Sequence, residues 1–293
     1  MNQNSEQFKF IETILKIHIT PDIDIQNIEY FYGGNFNTAS KVTANHQDYF
    51  IKWSTEEEVN TFEKEAQNLN LLDSTHTIIV PKVFGTGNID SKNYLIIQGI
   101  SSSNQKKTFW RDLGISIANL HKNSNKNGFG LDYDNFIGNL VQENTWMTNG
   151  IDFFIEKRLI PQLDLAEYNR KINSEIIKNF ERLFKELPSI IPNCQSSLIH
   201  GDLWDSNIMT NLDGNGVLLD PTSYFGFRES EIAFTTMFGG FENEFYESYN
   251  EVFPVEKGFH ERLPIYNLYP LLVHVNLFGE GYIPSIKKIL SKF

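Results

Sequence analysis

The sequence predicts an α+β fold in two lobes: an N-terminal five-stranded antiparallel sheet with helices, then a larger, mainly helical C-terminal lobe. Three observations carry that prediction. At 293 residues the chain exceeds the usual span of one domain. β-Branched and aromatic runs joined by tight turns crowd its N-terminal third, and apolar residues at helical spacing dominate the remainder.

Phe8, Ile11, Ile14 and Leu15 recur with helical period, so residues 5–17 read as an amphipathic helix. Ile28 to Tyr32, Thr38 to Ala44 and Asp48 to Trp53 follow as strands of a meander, separated by Gly33-Gly34-Asn35 and Asn45-His46-Gln47. Glycines at the first of these turns would let backbone amides approach an anion. Alternation along the third strand puts Phe50 and Lys52 on one face, aiming an ammonium at phosphates and laying a ring beside a base. Over residues 56–72, Val59, Phe62, Ala66 and Leu69 form a helical stripe with Glu65 at its edge. A buried unpaired carboxylate costs several kcal/mol, so Glu65 calls for a cation; Lys52 is the economical partner, and Glu63 is the competing acid.

Val80 to Val83 and Tyr94 to Gln98 complete five strands, after which the chain turns polar and serine-rich. The expected domains are therefore 1–98, a hinge at 99–107 in which Gln98, Gly99 and Ile100 offer backbone groups to adenine, and 108–293. Helical stripes follow, with Phe109, Leu113, Ile117 and Leu120 in one and Ile176, Phe180, Leu183, Phe184 and Leu187 in another. The apolar run from Ile265 to Phe278 reads as core, and His121, His260 and His274 as structural.

The chemistry lies in residues 197–207, where His200-Gly201-Asp202 is followed five residues after the aspartate by Asn207, and thirteen beyond that by Asp220. That order is the grammar of a kinase catalytic loop and its metal-binding aspartate. Phosphoryl transfer needs a carboxylate near the incoming hydroxyl and oxygen ligands that hold magnesium against nucleotide phosphates. A strand ending at Ile199, a tight loop and a hairpin through Asp213-Gly214-Asn215-Gly216 are expected to assemble the three.

Composition narrows the classes further. Hydrophobic residues make up 40% and charged residues 21%, ordinary values for a soluble protein. No apolar run reaches the ~20 residues of a membrane span, and the N-terminus lacks a secretory pattern, so a cytoplasmic enzyme is expected. A net charge of −12 disfavours nucleic acid and anionic lipid as partners. Cys194 is the only cysteine, which excludes an intrachain disulfide and a thiolate-cluster metal site. No Gly-x-Ser-x-Gly elbow supports a hydrolase.

Lys52, Glu65, the His200 to Asn207 loop and Asp220 together resemble the aminoglycoside phosphotransferase and choline kinase group, which has a protein-kinase-like fold. The finer resemblance is to the fructosamine (ketosamine) kinase family. It is carried by His-Gly-Asp-Leu-Trp-x-x-Asn with Trp204, by Asp220-Pro221 to Gly226, by Arg228-Glu229 and by Met237 to Phe241. Phe129-Gly130, Asn135 to Gly138, Asn144-Thr145-Trp146, Phe153 to Leu159 and Tyr269-Pro270 to Gly279 continue it over nearly the whole chain. Gly150, Ser206, Phe227 and Glu231 depart from the family pattern, where tryptophan, glycine, a polar residue and aspartate are frequent. Gly150 and Phe227 thereby bear on acceptor identity, and Ser206 and Glu231 on loop geometry.

The resemblance implies ATP- and magnesium-dependent phosphorylation of the 3-hydroxyl of a ketosamine, a sugar carried on a small amine or a protein lysine, in deglycation. In that mechanism Asp202 accepts the hydroxyl proton, Asn207 and Asp220 hold magnesium, Lys52 orients the phosphates, Glu65 fixes Lys52, and Gly33, Gly34 and Asn35 cover the triphosphate. Trp204, Phe225, Arg228 and Glu229 are the implied acceptor contacts. The alternatives are an aminoglycoside, choline or sugar phosphotransferase of the same fold, or a nucleotide-binding scaffold without activity.

Overall fold

The computed structural model describes residues 6–31, 38–55 and 61–293. Gly33, Gly34 and Asn35 of the expected phosphate loop, and Val59 of the expected stripe, lie outside the described residues. The chain divides into two compact units, Met1–Phe109 with Ile208–Asp220, and Trp110–Asn207 with Pro221–Phe293.

In the first unit, helix α1 (Glu6–His18) precedes strands β1 (Ile25–Phe31), β2 (Thr38–Ala44) and β3 (Gln47–Thr55), helix α2 (Phe62–Asp73), and strands β4 (Val83–Ile89) and β5 (Lys92–Gln98). The sheet runs β1-β2-β3-β5-β4 with every pairing antiparallel. Strand alternation decides what each face carries. Tyr49, Ile51 and Trp53 of β3 join Phe10, Ile11, Ile14 and Leu15 of α1 in one apolar cluster. Each such side chain contributes about 1.5–3 kcal/mol on burial. Phe50 and Lys52 consequently take the opposite face, where Lys52 pairs in register with Leu95. Helix α2 packs on β4 and β5 through its buried stripe, which contains Phe62, Ala66, Leu69 and Leu72.

The expected boundaries at 98/99 and 107/108 differ from the observed division, because residues 99–107 and the later hairpin both belong to the first unit. Hydrogen bonds explain the difference. The hairpin of β9 (Ile208–Thr210) and β10 (Gly216–Leu218) is tied down by Leu218 N to Ile79 O at 2.9 Å, Ser103 Oγ to Asn211 O at 2.6 Å and Lys106 N to Gly214 O at 3.3 Å.

The second unit is mainly helical: α3 (Phe109–His121), α4 (Gly150–Phe154), α5 (Ile160–Tyr168), α6 (Ser174–Ile190), α7 (Arg228–Phe234), α8 (Asn243–Val252), α9 (Phe259–Tyr266), α10 (Leu268–Phe278) and α11 (Ile283–Leu290). A π-helical turn, Ile155–Leu159, joins α4 to α5. The unit also holds the short pairs β6 (Asn135–Ile137) with β7 (Leu140–Gln142) and β8 (Ser197–Ile199) with β11 (Tyr224–Gly226). As expected, a strand ends at Ile199; its partner is β11, with Ile199 opposite Tyr224. Among the described residues no helix is long and apolar enough to cross a membrane.

Candidate active site

In the first unit the Lys52 ammonium lies 2.8 Å from Glu65 Oε1 and 2.5 Å from Asp220 Oδ1. Glu65 rather than Glu63 therefore meets the lysine. Burial works against the charge on Lys52, but the two carboxylates outweigh it and hold the ammonium above the usual lysine range. Burial and the neighbouring charge of Asp220 push Glu65 up, and Lys52 opposes them. Asp220 follows β10 in the left-handed region, φ 52°, and its carboxylate stays half exposed.

Phe50 shares the Lys52 face as its strand position requires, with its ring 6.0 Å from that of Phe31. In the hinge trio, Gln98 donates its amide to Lys82 O at 2.8 Å and Gly99 donates to Asp48 O at 2.9 Å, so two of the three amides are engaged within the first unit. Ile100 is the member of the trio that these bonds leave out.

In the second unit the catalytic loop closes on itself. Asn207 donates its side-chain amide to the Asp202 carboxylate and to the Asp202 backbone carbonyl, both at 2.9 Å. With the nitrogen so used, the Asn207 carbonyl oxygen is the atom left for a hard cation, which fits magnesium's preference for oxygen. Gly201 adopts φ 89°, and a Cβ there would lie 2.3 Å from Thr222 O, so only glycine fits. Ser206 is exposed in the one-turn helix Asp205–Asn207, and the Asn207 contacts form around it.

Glu231 sits behind the loop, 3% exposed, and receives the amides of His200 at 3.1 Å and Gly201 at 2.6 Å. Its second oxygen also meets His121 Nε2 at 2.8 Å, and His121 Nδ1 meets the Tyr249 hydroxyl at 2.8 Å. Burial opposes ionisation of Glu231, yet the hydrogen bond and charge of His121, with help from His200 and the Gly201 amide, hold its carboxyl below the usual range. A glutamate here supports the loop, so the departure from aspartate leaves the loop anchored.

The expected acceptor contacts divide. Trp204 is partly exposed, with its ring 5.5 Å from that of Phe238. Phe225 is buried against Trp146. Arg228 and Glu229 are corrections: both point into the protein interior. Arg228 donates to Phe253 O at 3.0 Å and Pro254 O at 2.5 Å, and Glu229 forms a two-pronged pair with Arg262 at 2.7 Å for each prong. Buried charges demand such partners, and these leave neither side chain for an acceptor. Phe227 packs on Phe129, Phe154 and Tyr266, and a Cβ on Gly150 would lie 2.4 Å from Phe129 Cζ. Both departures are therefore core adjustments in one aromatic cluster.

Beside Asp202 a cavity of about 40 Å³ is lined by Gly201, Asp202, Ser230, Glu231, Tyr269 and His274 among others. Sequence reasoning assigned His274 a structural role. The available signal was a lone imidazole in the mostly apolar run Leu268–Phe278. Glu231 carried no periodic signal at all, because its partners are backbone amides thirty residues upstream.

Comparison with known proteins agrees with this arrangement. A family model described as Fructosamine kinase matches residues 7–293. A Lactiplantibacillus plantarum protein named "Probable ketoamine kinase" is 34% identical over 93% of this chain and 96% of its own length. A rice "Protein-ribulosamine 3-kinase, chloroplastic" (Oryza sativa subsp. indica) is 33% identical over 92% of this chain and 79% of its own. The crystal structure of a "Putative fructosamine-3-kinase" from Haemophilus somnus 129PT superposes with TM-score 0.87 at 30% identity, covering 96% of both chains. Aminoglycoside phosphotransferase APH(4)-Ia, in a ternary complex with AMP-PNP and hygromycin B, shares the fold at TM-score 0.67 and 13% identity over 96% of this chain and 98% of its own. By sequence and by fold, this chain belongs to the fructosamine kinase family, and it is an ATP-dependent phosphotransferase acting on a hydroxyl group.

Proposed function

We propose that the protein is a magnesium-dependent ketosamine 3-kinase that phosphorylates the sugar of a glycated amine, free or protein-bound, in the cytoplasm. The observation that carries this reading is the family match over residues 7–293, which contains every residue that the chemistry needs.

Asp202 takes the proton of the attacking hydroxyl, and Asn207 keeps that carboxylate oriented through its 2.9 Å bond. Lys52 neutralises phosphate charge, and Glu65 and Asp220 keep it charged and in place. Asn207 offers a side-chain carbonyl and Asp220 a carboxylate, each a hard oxygen of the kind that magnesium takes; when bound, magnesium would offset charge on the transferring phosphoryl group. Gly33, Gly34 and Asn35 cover the triphosphate, and Phe50 and Ile100 serve the base. Trp204 lies on the acceptor side, two residues from the proposed base.

A coupled ADP-release assay across ketosamines, aminoglycosides, choline and free sugars tests the assignment. Ketosamines should give the highest kcat/KM. Preference for an aminoglycoside or choline would replace the reading with the corresponding phosphotransferase, and no ADP release with any acceptor would favour an inactive scaffold.

A further inference from the structure

We propose that His274, flanked by Phe238 and Tyr282, forms the amine-side subsite of the acceptor, in which imidazole Nε2 accepts a hydrogen bond from the protonated secondary amine of a ketosamine. The inference rests on the ketosamine reading and adds to it the group that recognises the nitrogen.

His274 Nδ1 lies 2.7 Å from Pro270 O. A carbonyl oxygen only accepts, so Nδ1 carries the proton and the neutral ring presents its lone pair at Nε2. Among the described residues no hydrogen bond reaches Nε2. Burial favours the neutral ring by lowering its proton affinity, against the opposing Pro270 bond. His274 lines the same cavity as Asp202, so one molecule filling it would meet both residues.

The surroundings select a cation. The acids Asp202 and Glu231 line the cavity, the second already engaged by the loop amides and His121, and no lysine or arginine is among its lining residues. The rings of Phe238, Tyr282 and Phe278 surround the imidazole with centroids at 5.1, 5.0 and 5.3 Å, and Trp204 extends the series from Phe238. Aromatic faces attract ammonium groups, and secondary amines stay protonated at neutral pH. Phe238 and Phe278 are 39% and 57% exposed, large rings that a packed core would have covered. They stand beside the imidazole and are open to solvent, as the substituent on a ketosamine nitrogen must be when the amine belongs to a lysine.

The test is steady-state kinetics on a matched pair of acceptors, an N-alkyl 1-amino-1-deoxyketose and its N-acetylated, uncharged counterpart. Wild type should prefer the charged member. His274→Phe keeps the ring and removes the lone pair; it should cut that preference about tenfold, through KM more than kcat, and His274→Gln, which keeps an acceptor atom, should restore part of it. Phe238→Leu, at a partly exposed position, should reduce the same preference and provides a second reading if His274→Phe fails to fold. An unchanged preference in these variants, or a parallel loss for both acceptors, would overturn the subsite while leaving ketosamine turnover standing. If wild type shows no preference for the charged member, the subsite falls; if it turns over neither member, the ketosamine reading falls with it.

Discussion

Glu231 receives the Gly201 amide at 2.6 Å, so the backbone immediately before the proposed catalytic base is held by a carboxylate on α7. This carboxylate is buried with three polar contacts, to His200, Gly201 and His121, and His121 in turn meets Tyr249. Removing its charge leaves two loop amides with a weaker partner. Glu231→Gln should cost about 2–4 kcal/mol of stability and lower kcat by misplacing Asp202. Chemical denaturation and kinetics measured together check both parts.

The same carboxylate gives a pH signature. Its folded pKa lies below its ordinary value of 4.5, so its stabilisation is complete above that value and is lost as pH falls through the lower folded one. The stability gap between wild type and Glu231→Gln should therefore be widest above about pH 5 and should narrow in stronger acid. A gap that grows on acidification would reverse the sign and the argument.

Asp202→Asn should lower kcat roughly 10²- to 10⁴-fold while leaving the fold intact, because the base is lost and the Asn207 contact can be kept by a side-chain oxygen. Near-normal turnover in a folded variant would show that another group takes the proton.

Lys52 lies between two acids, which fixes what its loss does. Lys52→Met leaves Glu65 and Asp220 without their shared cation, so ATP-dependent kcat/KM should fall by about 10²-fold or more. Asp220→Ala should instead abolish magnesium-dependent nucleotide binding. Calorimetry with and without the metal separates the two variants.

Gly150 tests the aromatic core. Gly150→Ala places a Cβ 2.4 Å from the Phe129 ring and should destabilise the protein by about 1–3 kcal/mol, with little effect on KM. A large change in acceptor KM without loss of stability would return this position to the acceptor site.

Much of this was legible in the sequence where a period or a fixed spacing reports structure. Strand alternation put Lys52 on one face with Phe50, and the helical stripe put Glu65 at its edge; the two meet at 2.8 Å. The Asp202 to Asn207 spacing likewise appears as a direct contact. Partners distant in sequence were not legible. Arg228 and Glu229 look like exposed charges in a motif, but Arg262 and the carbonyls of Phe253 and Pro254 claim them in the interior. His274 looks structural until α10 brings it to the cavity beside Asp202.

The first unit is discontinuous: Met1–Phe109 holds Lys52 and Glu65, whereas Asp220 arrives with Ile208–Asp220, after the chain has built much of the other unit. Its phosphate-handling residues are thus inherited in two pieces. A chimaera joined at a single crossover near residue 109 would combine the lysine and glutamate of one parent with the hairpin and aspartate of the other. Exchanging the nucleotide side between relatives requires both segments to move together, and the tethers at Ile79, Ser103 and Lys106 are the joints that must match.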